Sequence, residues 1–254
     1  MKKGWKIVFI SAASLALACI LAGVSIFFST CQSGAENEKL KKTAKKTESS
    51  LSELEKKEQA GIDFKSLKKI NEDIYAWITI PNTGVDYPIL QSYSESDSYY
   101  LYRNFKKERD INGSIYTEKH NKTDFSDRVT VVYGHDMLDG SMFKGLHKFR
   151  DEDFFKKNKY IYIYLPDKTL TYTIVSAYRS DDRHILNSFD FSEDEVFEGY
   201  LDEISDPRSM IVNKRKMELS VSDRIITLST CIGTDGNYRY LVQGVLTDEK
   251  SNRS

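Results

Sequence analysis

The sequence predicts a mainly β domain, a closed barrel or a sandwich, set behind an N-terminal membrane anchor. Three observations carry that expectation. From position 74 onward, short runs rich in Val, Ile, Thr and Tyr alternate with turn residues, and only one later stretch has helical periodicity. Sixteen tyrosines against four prolines suit half-buried, pleated surfaces. Residues 7–28 carry no charge and follow Lys2, Lys3 and Lys6.

The apolar run matches the roughly 20 residues an α-helix needs to cross the hydrocarbon core. It is too long for a signal-peptide core, and no A-x-A-like cleavage site follows it. A lipoprotein site at Cys19 would cut the run in half, and Cys31 lacks a small residue before it. The expectation is therefore an uncleaved signal-anchor over 7–28 with residues 1–6 in the cytoplasm. Charge counting leans to N-in, C-out, although Lys39, Lys41 and Lys42 follow the run closely.

Residues 29–61 interleave both charge signs and hold few large apolar side chains, which suits a solvated helix or a flexible stalk. A folded domain is expected over 62–254. Ile62, Leu67 and Ile70 are spaced for a short amphipathic helix. Strands are expected at 74–80, 85–90, 113–117, 129–133, 160–165, 170–178, 224–229 and 238–246, eight in all. "PNTG" turns between the first two, and "PDKT" marks a hairpin between the fifth and sixth. Ser192 and Glu195 have capping-box spacing. After them Val196, Phe197, Tyr200, Leu201 and Ile204 line one helical face, and Pro207 stops the run.

A formal net charge of -1 gives no electrostatic footprint for nucleic acid. The chemistry concentrates elsewhere. Cys231 is the only cysteine after Cys31 and sits where "RIITLS" gives way to the turn-rich "GTDGN". It is either a small buried hydrophobe or, on an exported domain where idle thiols tend to be oxidised, a nucleophile. A thiol nucleophile needs a group that manages protons. His120 reads as solvated loop, His147 as half-buried packing, and His184 as either. His135 differs, because "VTVVYGHDM" carries it directly off a strand end, a rim position like that of Cys231. Arg239 lies on the far side of the "IGTDGN" reversal, so its strand should pair antiparallel with that of Cys231. It is either an outward surface charge or a fork of donors aimed at a carbonyl or oxyanion.

"TLSTC" with an arginine eight residues on, and "YGHDM" with "GSMF" upstream, resembles the sortases, the membrane-anchored cysteine transpeptidases of Gram-positive bacteria. The likeness is to class B and covers roughly 62–247. It implies a closed eight-stranded sortase-type barrel, with an N-terminal helix and a helix between strands 6 and 7. It also implies a domain outside the cell, which settles the orientation. Cys231 would attack a threonine carbonyl in the sorting signal of an exported protein and form a thioacyl-enzyme. His135 would protonate the leaving amine and deprotonate the incoming one. Arg239, with the backbone N–H of Ile232, would steady the oxyanion, and Ser229 would face the substrate. The acceptor would be the amine of a lipid-linked peptidoglycan precursor, with neither metal nor cofactor.

"IPNTG" at 80–84 looks like a sorting signal but lies between strands, and reads as a turn. Residues 32–73 contain no proline, so the lid of class C enzymes has no counterpart there. Two other readings compete. One is a membrane-tethered cell-wall cysteine peptidase that only hydrolyses. The other is a surface binding or sensor domain in which Cys231 is core.

Overall fold

The computed structural model describes residues 18–21, 23–24, 32–45, 61–232 and 235–252. Most of the anchor expected at 7–28 lies outside them, and among the described residues no helix is long and apolar enough to cross a membrane. Residues 32–44 are helical (α1), followed by helix α2 at Phe64–Ile70. The strands are β1 (Ile74–Ile80), β2 (Val85–Leu90), β3 (Ile115–Tyr116), β4 (Val129–Tyr133), β5 (Tyr160–Tyr164), β6 (Lys168–Asp181), β7 (Val212–Lys214), β8 (Ile225–Ile232) and β9 (Asp235–Ser251). Short helices α3 (Glu152–Lys157) and α4 (Ile185–Ser188) precede α5 (Asp194–Ser205).

The sheet runs β5-β1-β2-β3-β4-β8-β9-β6-β7, and β5 also pairs with β6. That last pairing closes eight strands into a barrel and leaves β7 as a three-residue addition to β6. Closure removes the exposed edges that an open sheet would present. All eight expected barrel strands are present. The fifth-to-sixth hairpin is closed by Leu165 N–H donating to Lys168 O at 2.8 Å. β7 has no signature in sequence because three residues are too few to show a period.

Alternation along the strands divides the apolar residues between two cores. Val132, Ile226, Leu228, Tyr240 and Val242 point into the barrel. Their out-of-phase neighbours Val131, Ile225 and Leu241 point outward and are covered by Phe197, Tyr200 and Ile204 of α5. Tyr200 Oη lies 3.0 Å from Thr227 Oγ1, and Gln243 Nε2 donates to both, tying the helix to β8 and β9. The expected capping box is not made. Glu193 is the N-cap without a side-chain bond, and Ser192 turns back to Asp190 Oδ1 at 2.6 Å. A nearer carboxylate wins over the helix amide. Helix α2 buries Phe64 and Leu67, whereas Ile70 stays 42 % exposed. The chain leaves the helix at Asn71, before Ile70 can reach the barrel.

The segment expected to be a stalk is partly packed. Leu40 and Ala44, one turn apart on α1, are buried against the cluster of Trp77 and Tyr100. Lys45 Nζ bonds Asp86 Oδ2 at 2.8 Å, while Trp77 Nε1 donates to Asp86 Oδ1 at 2.8 Å. Burial pushes the Asp86 carboxyl up, but these donors outweigh it and hold the group below its usual range. The compositional boundary at 61/62 therefore cuts off a packed helix. Leu40→Ala should cost about 2–3 kcal/mol of stability in a 32–254 fragment, read by denaturant unfolding. Equal midpoints for 32–254 and 62–254 would show that α1 adds nothing.

Candidate active site

The groove that gathers the reactive side chains lies on the outer barrel face, with a volume of ≈ 200 Å³. Strand arithmetic explains its lining. β8 and β9 are antiparallel with Cys231 opposite Arg239 and Ser229 opposite Leu241, and directly opposed residues share a face. Parallel pairing of β4 with β8 sets Tyr133 beside Ser229. Cys231, Arg239, Ser229, Leu241 and Tyr133 all line the groove. Thr227 continues the outward set along β8, two residues before Ser229 and four before Cys231, at its contact with α5.

His135 reaches the same groove from the loop after β4. Gly134 N–H donates to Ser229 O at 3.2 Å, which keeps the chain alongside β8 for one more residue. A side chain at 134 would meet Ile115 Cδ1 at 2.5 Å and the Phe143 ring at 2.7 Å, so glycine is required there by packing. Phe143 N–H then donates to His135 O at 2.9 Å and closes the loop 135–143. The His135 ring bonds through Nε2 to Leu101 O at 2.6 Å and lies 5.5 Å from the Tyr102 ring. A carbonyl can only accept, so Nε2 carries the proton and Nδ1 is left for proton exchange.

Arg239 Nη1 donates to Gly236 O at 2.8 Å and Tyr238 O at 3.1 Å, so the reversal itself orients the guanidinium. Cys231 is half-buried and has no disulfide partner. It lies within β8, one residue from its end, rather than just past the strand as its sequence context suggested. Ile232 does not line the groove; its side chain packs against the barrel interior. Among the described residues, no group of three or more His, Cys, Asp or Glu is placed to hold a metal ion.

Several groove residues escape sequence reasoning. Tyr116 stacks on Tyr133 with ring centroids 5.4 Å apart, and burial pushes both phenols up, so they stay neutral. Tyr133 and Leu241 were not singled out from the sequence, although outward alternation on β4 and β9 is a signal that points to them. The wall formed by Ser180 to Ile185 comes from the end of β6, the start of α4 and the connection at 182–184, which has no periodicity to read. His184, left open between solvated loop and half-buried packing, lies in that wall with Nε2 2.8 Å from Glu118 Oε2. His120 is 48 % exposed beside the same carboxylate.

The arrangement brings a thiol, an imidazole and a guanidinium to one surface groove, a layout suited to acyl transfer from a peptide. The family model for the sortase domain matches residues 78–247. Sortase B of Listeria monocytogenes is 36% identical over 187 residues, covering 72% of this chain and 74% of the relative. Sortase B of Staphylococcus aureus is 33% identical over 66% of this chain and 67% of the relative. Among solved structures, a Staphylococcus aureus sortase B–substrate complex superposes with a TM-score of 0.73 at 28% identity, covering 87% of this chain and 99% of that one. Sortase B from B. anthracis, in complex with AAEK1, gives a TM-score of 0.73 at 31% identity with the same coverages. The chain therefore belongs to the sortase family, as a cysteine transpeptidase of the sortase B type.

Proposed function

We propose that Cys231 is the nucleophile, His135 the proton carrier and Arg239 the oxyanion and carbonyl holder of this sortase. The observation that carries the reading is their shared groove, with Cys231 and Arg239 as direct cross-strand partners. The Cys231 sulfur attacks the carbonyl carbon of a threonine in a sorting signal. The tetrahedral oxyanion is held by Arg239 and the Ile232 N–H. Collapse breaks the C–N bond, and the leaving amine takes a proton through His135. An incoming amine then attacks the thioester and gives its proton to His135, an amide forms, and the thiolate leaves. Ser229, on the same face two residues before Cys231, contacts the bound peptide.

The acceptor in the cell is the amine of a lipid-linked peptidoglycan precursor, so exported proteins end bonded to the cell wall. Residues 7–28 anchor the enzyme in the membrane with its catalytic domain outside. The uncharged run and its preceding lysines support this placement. The test uses a 32–254 fragment, a pool of sorting-signal peptides and mass spectrometry with and without a short peptide amine. An amide-linked product that appears only with the amine supports transfer. Hydrolysis products alone in both arms would make the protein a cysteine peptidase.

A further inference from the structure

Behind the groove, a second imidazole contacts the backbone of the thiol residue. The segment Phe143–Arg150 is a 3₁₀ helix, in which residues three apart lie on the same side. Lys144 and His147 therefore face the same carboxylate, that of Asp136, at 2.9 Å and 3.0 Å. His147 Nε2 is also 3.2 Å from the carbonyl oxygen of Cys231. Both partners are acceptors, so Nε2 must carry a proton and donate it to both. The ring packs on Tyr240, centroids 5.1 Å apart, and its burial holds the imidazole below its usual pKa, in the neutral form. His147 is outside the groove lining, so it acts through what it holds.

What it holds is specific. Asp136 is the residue after His135, and Cys231 carries the thiol, so one side chain joins the two segments that present the reactive groups. A trans peptide also points its C=O and N–H in opposite directions. Fixing the Cys231 carbonyl thus fixes the Ile232 N–H of the same planar unit.

We propose that His147 is a positioning residue for the transfer reaction, clamping the 231–232 peptide and the His135–Asp136 segment in register through its Nε2–H. The inference rests on Cys231 being the nucleophile. A misplacement of about 1 Å can cost on the order of 100-fold in rate, so the clamp should act on kcat rather than on peptide binding.

The experiment compares His147→Gln, His147→Asn and Cys231→Ala in peptide cleavage, with thermal unfolding midpoints for each. The glutamine amide can reach the positions of the imidazole Nε2–H, whereas the shorter asparagine cannot. The expected result is a kcat loss of roughly 10- to 100-fold for His147→Asn with KM within about twofold. His147→Gln should recover to within about threefold of the parent. Unchanged kcat in His147→Asn, or equal losses in both variants that follow their unfolding midpoints, would overturn the proposal. Activity surviving in Cys231→Ala would instead overturn the reading on which it rests, and it is scored separately.

Discussion

Replacing Cys231 by alanine should lower sorting-peptide cleavage by at least about 10⁴-fold, while the thermal midpoint stays close to that of the parent. The two halves of this expectation come from different observations. The thiol is half-buried on the outer face of β8, away from the barrel interior. Alanine keeps the Cβ and the backbone pairing with Arg239, so the change in stability should remain within about 0.5 kcal/mol. The activity loss is large because no second nucleophile replaces the sulfur. Removing the nucleophile of a catalytic unit costs nearly as much as removing the whole unit. Cleavage followed by chromatography on matched protein concentrations reads the first half, and calorimetry the second. Turnover within tenfold of the parent would mean that another group attacks the peptide.

Arg239→Lys should lose nearly as much activity as Arg239→Ala, each about 10²- to 10³-fold in kcat. Charge alone would predict that lysine rescues. The geometry predicts otherwise, because the guanidinium is a planar fork whose Nη1 is already held by the carbonyls of Gly236 and Tyr238. That anchoring leaves the remaining N–H edge directed from a fixed base. A lysine ammonium placed there would satisfy the same carbonyls with its own donors and present no second, pre-set edge. The comparison uses kcat and KM for both variants. A lysine variant with parental kcat would reduce Arg239 to a general positive charge.

Much of this fold was legible because a barrel is a period-2 object. Eight strands announced themselves through alternating Val, Ile and Tyr, and the same alternation places Ser229, Cys231 and Leu241 on the outer face. The reversal at "IGTDGN" told which strands pair and so placed Arg239 close to Cys231 across the hairpin; the register that sets the two directly opposite each other comes from the structure. Helix α5 was visible from its apolar stripe, although its first residue was not. Asp190 competes for Ser192, and such local choices among polar groups leave no periodic trace.

Other features were invisible for identifiable reasons. Helix α1 offers Leu40 and Ala44 amid lysines and glutamates, too small a stripe to separate a packed helix from a solvated one. What buries it is tertiary, namely Trp77, Tyr100 and the Asp86 carboxylate. His147 read as packing, and it does pack on Tyr240. Its bond to the Cys231 carbonyl spans 84 positions and depends on a 3₁₀ turn that pattern reading does not distinguish from a loop. The middle of the groove wall, Asp182 to His184, comes from an irregular connection, where residue type carries little information about direction.

The most direct test of the central claim is intact-protein mass spectrometry of the 32–254 fragment, quenched in acid shortly after mixing with an intact sorting peptide that it cleaves. The account predicts a mass increase equal to the acyl half of the peptide, mapped to Cys231 by digestion and discharged when an amine is added. Peptide cleavage that proceeds with no adduct on Cys231 at any quench time, in the presence or absence of amine, would contradict it.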